Sequence, residues 1–272
     1  MSESQPLHHL TAQEVETILQ YIEQVDAILV GGQSLAIWAR LFLSHAPQIA
    51  RVYSISSEDV DVYANATAAK AFAANLQSAR VFIPDPFDNS PNAAVVEGKL
   101  GEREIRIDFM RNILGVDPKS IKKNFVTLSR PAKDGGKPVN ILILHPLDCL
   151  KSRLSNINDL HREDAHSISS ARAAVMVLEA FIDQHLQRGE FRPAQAILMS
   201  VYYVARDRSL GRPSHVRFGI DPGDILRRFR LDVRLDRVWR SYQLASAIER
   251  LKMKSERIMQ NQISGYQGSA DV

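Results

Sequence analysis

The stretch AILVGGQSLAIWARLF, residues 27 to 42, most constrains what this chain can fold into. Ala27, Ile28, Leu29 and Val30 read as a short buried strand, whereas Leu35, Ile37, Trp38, Leu41 and Phe42 recur at the spacing of one helix face. Gly31 and Gly32 stand where the period changes, so they mark a strand-to-helix corner. A glycine corner at a helix start lets backbone N–H groups approach an anion closely, with the helix terminus adding favourable potential. The same pair also suits a tight turn that binds nothing.

Periodicity organises the rest of the chain. Thr11 followed by Glu14 has the form of a capping box, and Val15, Ile18, Leu19 and Ile22 place a helix over residues 11 to 24. RVYSISSEDVDVYAN predicts a strand ending near Tyr63, and the alanine-rich ATAAKAFAANLQSAR a further helix. PDPFDNSPN is a loop by its prolines and Asx residues, and AAVVEGKLGEREIRIDFMR is a hairpin turning near Gly98 to Gly101. FVTLSRPAKDGGKPVNILIL fits a second hairpin, its turn at Asp134 to Gly136. From HPLDCLKSRL onward the period is helical. The pattern predicts an α/β (α+β) domain over residues 1–145, a mixed sheet with flanking helices, then a helical domain over 146–262 and a flexible tail over 263–272.

Charge and cysteine usage narrow the setting. The formal net charge is +3, but residues from 201 onward hold 14 Lys and Arg against 8 Asp and Glu, a weak pointer to a polyanionic partner. One cysteine, Cys149, excludes an internal disulfide and a cysteine-based zinc site, and implies a reducing compartment. The first residues are polar and acidic rather than basic then apolar, and no apolar run approaches the ~20 residues that span a bilayer. The expected setting is cytoplasmic, without a membrane.

The chemistry centres on acidic residues. In SSEDVDVY, strand alternation sends Val60 and Val62 to the core and puts Asp59 and Asp61 together on the opposite face. Paired carboxylates repel unless solvated or bridged by a cation, and Mg²⁺ is held by one or two carboxylates plus substrate phosphates. In REIRIDFM, Ile105, Ile107 and Phe109 share one face, leaving Asp108 on the other between Arg106 and Met110. If the two strands are neighbours, the three carboxylates can hold two metal ions about 3.5 to 4 Å apart, the spacing of in-line phosphoryl displacement. Taken alone, the aspartates equally fit a solvated strand face.

The order of these parts resembles the nucleotidyltransferase fold of the DNA polymerase β superfamily. VGGQSLAIWARLF, SSEDVDVY, EIRIDFM and HPLDCLKSRLSNI are similar to AbiEii-type toxins and related bacterial nucleotidyltransferases, over roughly residues 25 to 170. The resemblance implies that Gly31, Gly32, Gln33 and Ser34 contact nucleotide phosphates. It makes Asp59, Asp61 and Asp108 ligands to two Mg²⁺ ions, with Mn²⁺ as a substitute, and Asp108 the base or orienter for the attacking hydroxyl. Lys151 would neutralise phosphate charge. An NTP would be the substrate, the acceptor an RNA such as a tRNA 3′ end or a protein hydroxyl, and a cognate antitoxin a partner. The alternative is a non-catalytic nucleotide- or RNA-binding module retaining the fold. The chain departs from the family at Gly32, where serine is common, and at LHREDAHSIS, where Asp164 matches only loosely.

Other candidates carry less. His161 and His166 are five residues apart, which does not put both on one helix face. Cys149 follows an apolar strand and reads as a core thiol. Arg227, Arg228, Arg230, Arg234, Arg237 and Arg240, with Phe229, Trp239 and Tyr242 interleaved, suit an RNA strand; pairing with Asp232 and Asp236 around core aromatics suits them equally.

Overall fold

The computed structural model describes residues 11–44, 60–85, 87–131 and 138–252. Contacts divide the chain into two compact units, Met1–Arg153 and Leu154–Val272. The first is a mixed α/β unit with a seven-stranded sheet and the second is helical, the organisation that the change of period predicts.

In the first unit α1 (Ala12–Gln24) begins on the expected capping box. Thr11 Oγ1 accepts from the Glu14 N–H at 3.2 Å, and Glu14 Oε2 accepts from the Thr11 N–H at 2.6 Å. The chain then runs through β1 (Ile28–Leu29), α2 (Gly31–Phe42), β2 (Val60–Tyr63), α3 (Ala66–Ala73), β3 (Gln77–Phe82), β4 (Asn92–Leu100) and β5 (Arg103–Met110). There follow α4 (Pro118–Asn124), β6 (Val126–Arg130), β7 (Val139–Ile143) and α5 (Pro146–Asn158), within which the division between units falls. The sheet order is β3-β4-β5-β2-β1-β7-β6, parallel at β5–β2 and β1–β7 and antiparallel elsewhere.

Strand alternation gives this sheet one apolar face. Val60 and Val62 of β2 and Ile105, Ile107 and Phe109 of β5 are buried against Ile18 and Ile22 of α1 and Ala69 and Phe72 of α3. Tyr21, Phe72 and Phe109 meet edge to face, with centroids 6.0 and 5.7 Å apart. Covering this face fixes the register, because a slip by one residue would bury the aspartates instead.

Several expectations are corrected. The helix over the alanine-rich segment ends at Ala73, and QSAR belongs to strand β3. Gly98 lies within β4 opposite Ile105, so the hairpin turns only at the Gly101 end of the expected range, with Gly101 at φ +63°. Leu41, assigned to the apolar face of α2, is 55% exposed. Helix α4 was not foreseen, although Asp117 caps it and Pro118 opens it. The second hairpin is present as β6 and β7; its turn, Asp134 to Gly136, lies outside the described residues, as do Asp59 and the segment 263–272.

The helical unit comprises the end of α5, α6 (Ala165–Gln187), α7 (Phe191–Arg206), α8 (Gly211–Phe218), α9 (Gly223–Phe229) and α10 (Arg237–Trp239). A π-helical turn, Arg240–Leu244, continues as helix to residue 252. Ala174, Val177, Leu178, Leu198, Val201, Leu226 and Phe229 are among its fully buried side chains. Among the described residues no helix is long and apolar enough to cross a membrane.

Candidate functional site

The glycine corner is held from both sides. Val30 N–H donates to Asp61 O at 2.9 Å on the β2 side, and Leu144 N–H donates to Leu29 O at 2.9 Å on the β7 side. Gly31 then turns with φ +64°, in the left-handed region where a side chain is strained, and the chain enters α2. No side chain caps this helix at Val30. A Cβ placed on Gly31 would lie 2.1 Å from Asp61 Oδ2, so the carboxylate rests directly against the glycine at the helix start. A Cβ placed on Gly32 would meet nothing within 4 Å, which leaves the approach to that residue open.

Asp61 and Asp108 are brought together. Strands β2 and β5 are parallel neighbours with Asp61 opposite Asp108, so both project from the same sheet face, their backbones ~4.8 Å apart. Asp108 is partly exposed; its Oδ1 accepts from Arg106 Nε at 3.1 Å and its Oδ2 from Asn92 Nδ2 at 3.5 Å. Arg106 lies two residues earlier on the same strand face, which explains the pairing. Asp59 lies outside the described residues, and among those described no group of three or more His, Cys, Asp or Glu is arranged to hold a metal ion.

The remaining candidates face elsewhere. Ser34 is fully buried: its hydroxyl donates to Gly31 O at 3.0 Å and lies 3.4 Å from Cys149 Sγ. A hydroxyl committed in this way braces the first turn of α2 and is not presented to a ligand. Gln33 is 6% exposed. Lys151 Nζ pairs at 2.8 Å with Asp148 Oδ1, and Asp148, 1% exposed, also accepts from Ser120 Oγ at 2.9 Å. Lys151 thus has a carboxylate partner on its own helix, where the sequence reading gave it a phosphate.

In the helical unit, Asp164 is the N-cap of α6, accepting from the Ser167 N–H at 2.9 Å and its hydroxyl at 2.7 Å; these bonds hold its carboxyl below the usual value. Among the described residues, three of the six arginines of the arginine-rich stretch form ion pairs. Arg227 bonds Asp221 and Asp224, Arg228 bonds Glu179, and Arg234 bonds Asp183 and Asp232. Phe229 is core, and Asp236 caps the backbone at Trp239. Carboxylate pairing accounts for Arg227, Arg228 and Arg234. Among the described residues Arg230 and Arg237 are exposed and form no ion pair, Arg240 donates to Leu231 O, and Tyr242 is 71% exposed, so the other reading stays open for this part.

Cys149 is buried on α5, and desolvation pushes its thiol up to about 12 despite the Ser34 contact. At pH 8 it is therefore a thiol with no access to reagent. A chromogenic disulfide reagent should leave the native protein unlabelled for hours and count one thiol per chain in denaturant; rapid native labelling would contradict the burial.

Comparison with protein-family models, with curated proteins and with solved structures finds no match.

Proposed function

We propose that the α/β unit transfers a nucleotide from an NTP to a hydroxyl acceptor, as its resemblance to the AbiEii-type nucleotidyltransferases implies. In that transfer the acceptor oxygen bonds the α-phosphorus as pyrophosphate leaves and the hydroxyl gives up its proton. The observation that supports this reading best is the pairing of Asp61 with Asp108 on adjacent parallel strands, at the start of a helix that opens with Gly31 and Gly32. Two side-by-side, half-buried carboxylates on one strand face are an oxygen donor set suited to a hard divalent cation. Mg²⁺ held there by Asp61, Asp108 and Asp59 would supply charge stabilisation to the triphosphate and the attacking hydroxyl.

The protein's own groups would do the rest. The first N–H groups of α2, which have no acceptor within the helix, would serve an anion at its start, and the open approach over Gly32 leaves room for a phosphate. Arg106, 52% exposed, is long enough to leave Asp108 for a phosphate oxygen, freeing the carboxylate to orient an acceptor hydroxyl. Lys151 would have to exchange Asp148 for a phosphate to take part. The acceptor in this reading is an RNA, such as a tRNA 3′ end, or a protein hydroxyl, and a cognate antitoxin would be the partner of such a toxin.

A second reading is a non-catalytic nucleotide- or RNA-binding module. The Arg106–Asp108 pair favours it, because a neutralised carboxylate is a weaker metal ligand. One experiment separates the two. Each α-labelled NTP is incubated with Mg²⁺ and total bacterial RNA or protein, using native chain and the Asp61→Asn, Asp108→Asn and Gly32→Ala variants. The transferase reading expects label transfer that falls to background in both aspartate variants at an unchanged unfolding midpoint. It also expects a weaker apparent NTP affinity in Gly32→Ala. Metal-dependent NTP binding without transfer selects the module, and neither binding nor transfer removes both.

A further inference from the structure

The helical unit has a second basic feature. At the corner between α7 and α8, Arg206, Arg208 and Arg212 line an open cavity of about 600 Å³ with Tyr203, Asp207 and Ser209. Among the described residues none of these three arginines forms an ion pair, and all three share one cavity. Asp207, fixed by the loop it helps to build, balances only part of their charge, one carboxylate against three guanidinium groups. Its Oδ1 accepts from the Ser209 N–H at 2.7 Å, the Ser209 hydroxyl at 2.7 Å and the Leu210 N–H at 3.1 Å. Although burial opposes it, these bonds and the nearby Arg212 charge hold the carboxyl below its usual value.

The corner is also built to hold its shape. A Cβ on Gly211 would lie 2.4 Å from Val204 O and 2.7 Å from Ala205 Cα, so α8 starts in direct contact with the end of α7. Asn158, 7% exposed, donates to Leu210 O at 3.0 Å and Ser214 Oγ at 2.8 Å. On the wall, the Arg206 guanidinium stands 5.4 Å from the centroid of the Tyr202 ring, and Tyr203, packed against Tyr202, is 60% exposed.

Guanidinium groups gathered around a concavity repel one another and focus a positive field that an anion relieves. Their planar forks match phosphate oxygens bidentately, and an exposed tyrosine ring offers a stacking surface for a base. The volume lies within the usual range for small-ligand sites. We infer that the α7–α8 corner binds a phosphate-bearing planar ligand, a nucleotide unit either free or within a single strand, without a metal ion. This site uses none of the residues of the proposed transferase site and does not rest on that reading.

The test is fluorescence anisotropy of the full chain with a 5′-fluorescein-labelled decamer of single-stranded RNA. EDTA is present, so that a metal-dependent site on Asp61 and Asp108 contributes nothing. Arg208→Ala/Arg212→Ala is expected to weaken binding about tenfold or more and Tyr203→Ala about three- to tenfold, consistent with lost charged and stacking contacts. The control Arg230→Ala/Arg237→Ala, changing exposed arginines elsewhere in the unit, should shift it less than about twofold. The slope of log affinity against log salt should fall by about 0.7 for each phosphate contact removed. Competition by a nucleoside 5′-monophosphate assigns a free nucleotide, and strand binding without such competition assigns a strand; both support the site. Equal losses in the arginine pair and the control overturn it, as does a Tyr203→Ala variant unchanged when inorganic phosphate competes as well as nucleotide. Failure of the native chain to bind either RNA or mononucleotide at about millimolar concentration overturns it as well.

Discussion

Gly31→Ala is expected to destabilise the α/β unit by about 2–5 kcal/mol, whereas Gly32→Ala, one residue along, should be neutral or stabilising by up to about 1 kcal/mol. At Gly31 two costs combine. The backbone has φ +64°, where an L side chain costs roughly 1–2 kcal/mol, and the new methyl would be forced 2.1 Å from Asp61 Oδ2. Relief requires either Asp61 to swing off the helix start or Val30 to give up its bond to Asp61 O, and the overpacking adds about 1–3 kcal/mol. At Gly32 a methyl meets nothing within 4 Å and the residue is helical, so alanine gains the propensity that glycine lacks. Urea unfolding with tryptophan fluorescence and circular dichroism compares the midpoints. Similar midpoints for the two variants would mean that the contact with Asp61 does not exist in solution.

That asymmetry marks how far the sequence could be read. The change of period at Gly31 located the corner, but only the pairing of β2 beside β1 reveals which glycine is sterically required and which faces open space. Likewise, alternation in VDVY and REIRIDFM placed Asp61 and Asp108 each opposite a buried face, and adjacency of the two strands was a condition that the β2–β5 pairing meets. The Arg106–Asp108 pair was legible in principle, since residues two apart on a strand share a face.

What was illegible has local causes. Ser34 is a phosphate contact only by the resemblance; its burial against Cys149, distant in sequence, has no signal in the local sequence. The helix predicted through Arg80 follows from alanine propensity, and no Gly or Pro marks its end. The chain instead stops at Ala73 and re-forms as β3, because pairing with β4 outweighs propensity there. Helix α4 did carry a start signal in Asp117 and Pro118, which a seven-residue length and a single buried apolar side chain, Ile121, kept from showing as a period.

Trp38→Ala is expected to cost about 3–5 kcal/mol, comparable to the largest core truncations. Trp38 is 2% exposed, stacks on Phe42 with centroids 5.6 Å apart, and donates its indole N–H to Leu144 O at 2.9 Å. Leu144 follows β7 and its own N–H bonds Leu29 at the end of β1, so one side chain ties α2 to the strand ends that position Gly31. Trp38→Phe isolates the hydrogen bond: it keeps most of the apolar contact but leaves Leu144 O only the weak Cys149 thiol donor at 3.6 Å, a loss of about 0.5–1.5 kcal/mol. Alanine should therefore lower the midpoint more than phenylalanine. Phenylalanine should in addition loosen the corner, seen as faster amide exchange at Gly31 to Ser34 than at the core strand β5. If Trp38→Phe left both midpoint and exchange unchanged, the indole bond would not be what anchors α2, and the position of Gly31 against Asp61 would rest on the backbone bonds at Leu29 and Val30 alone.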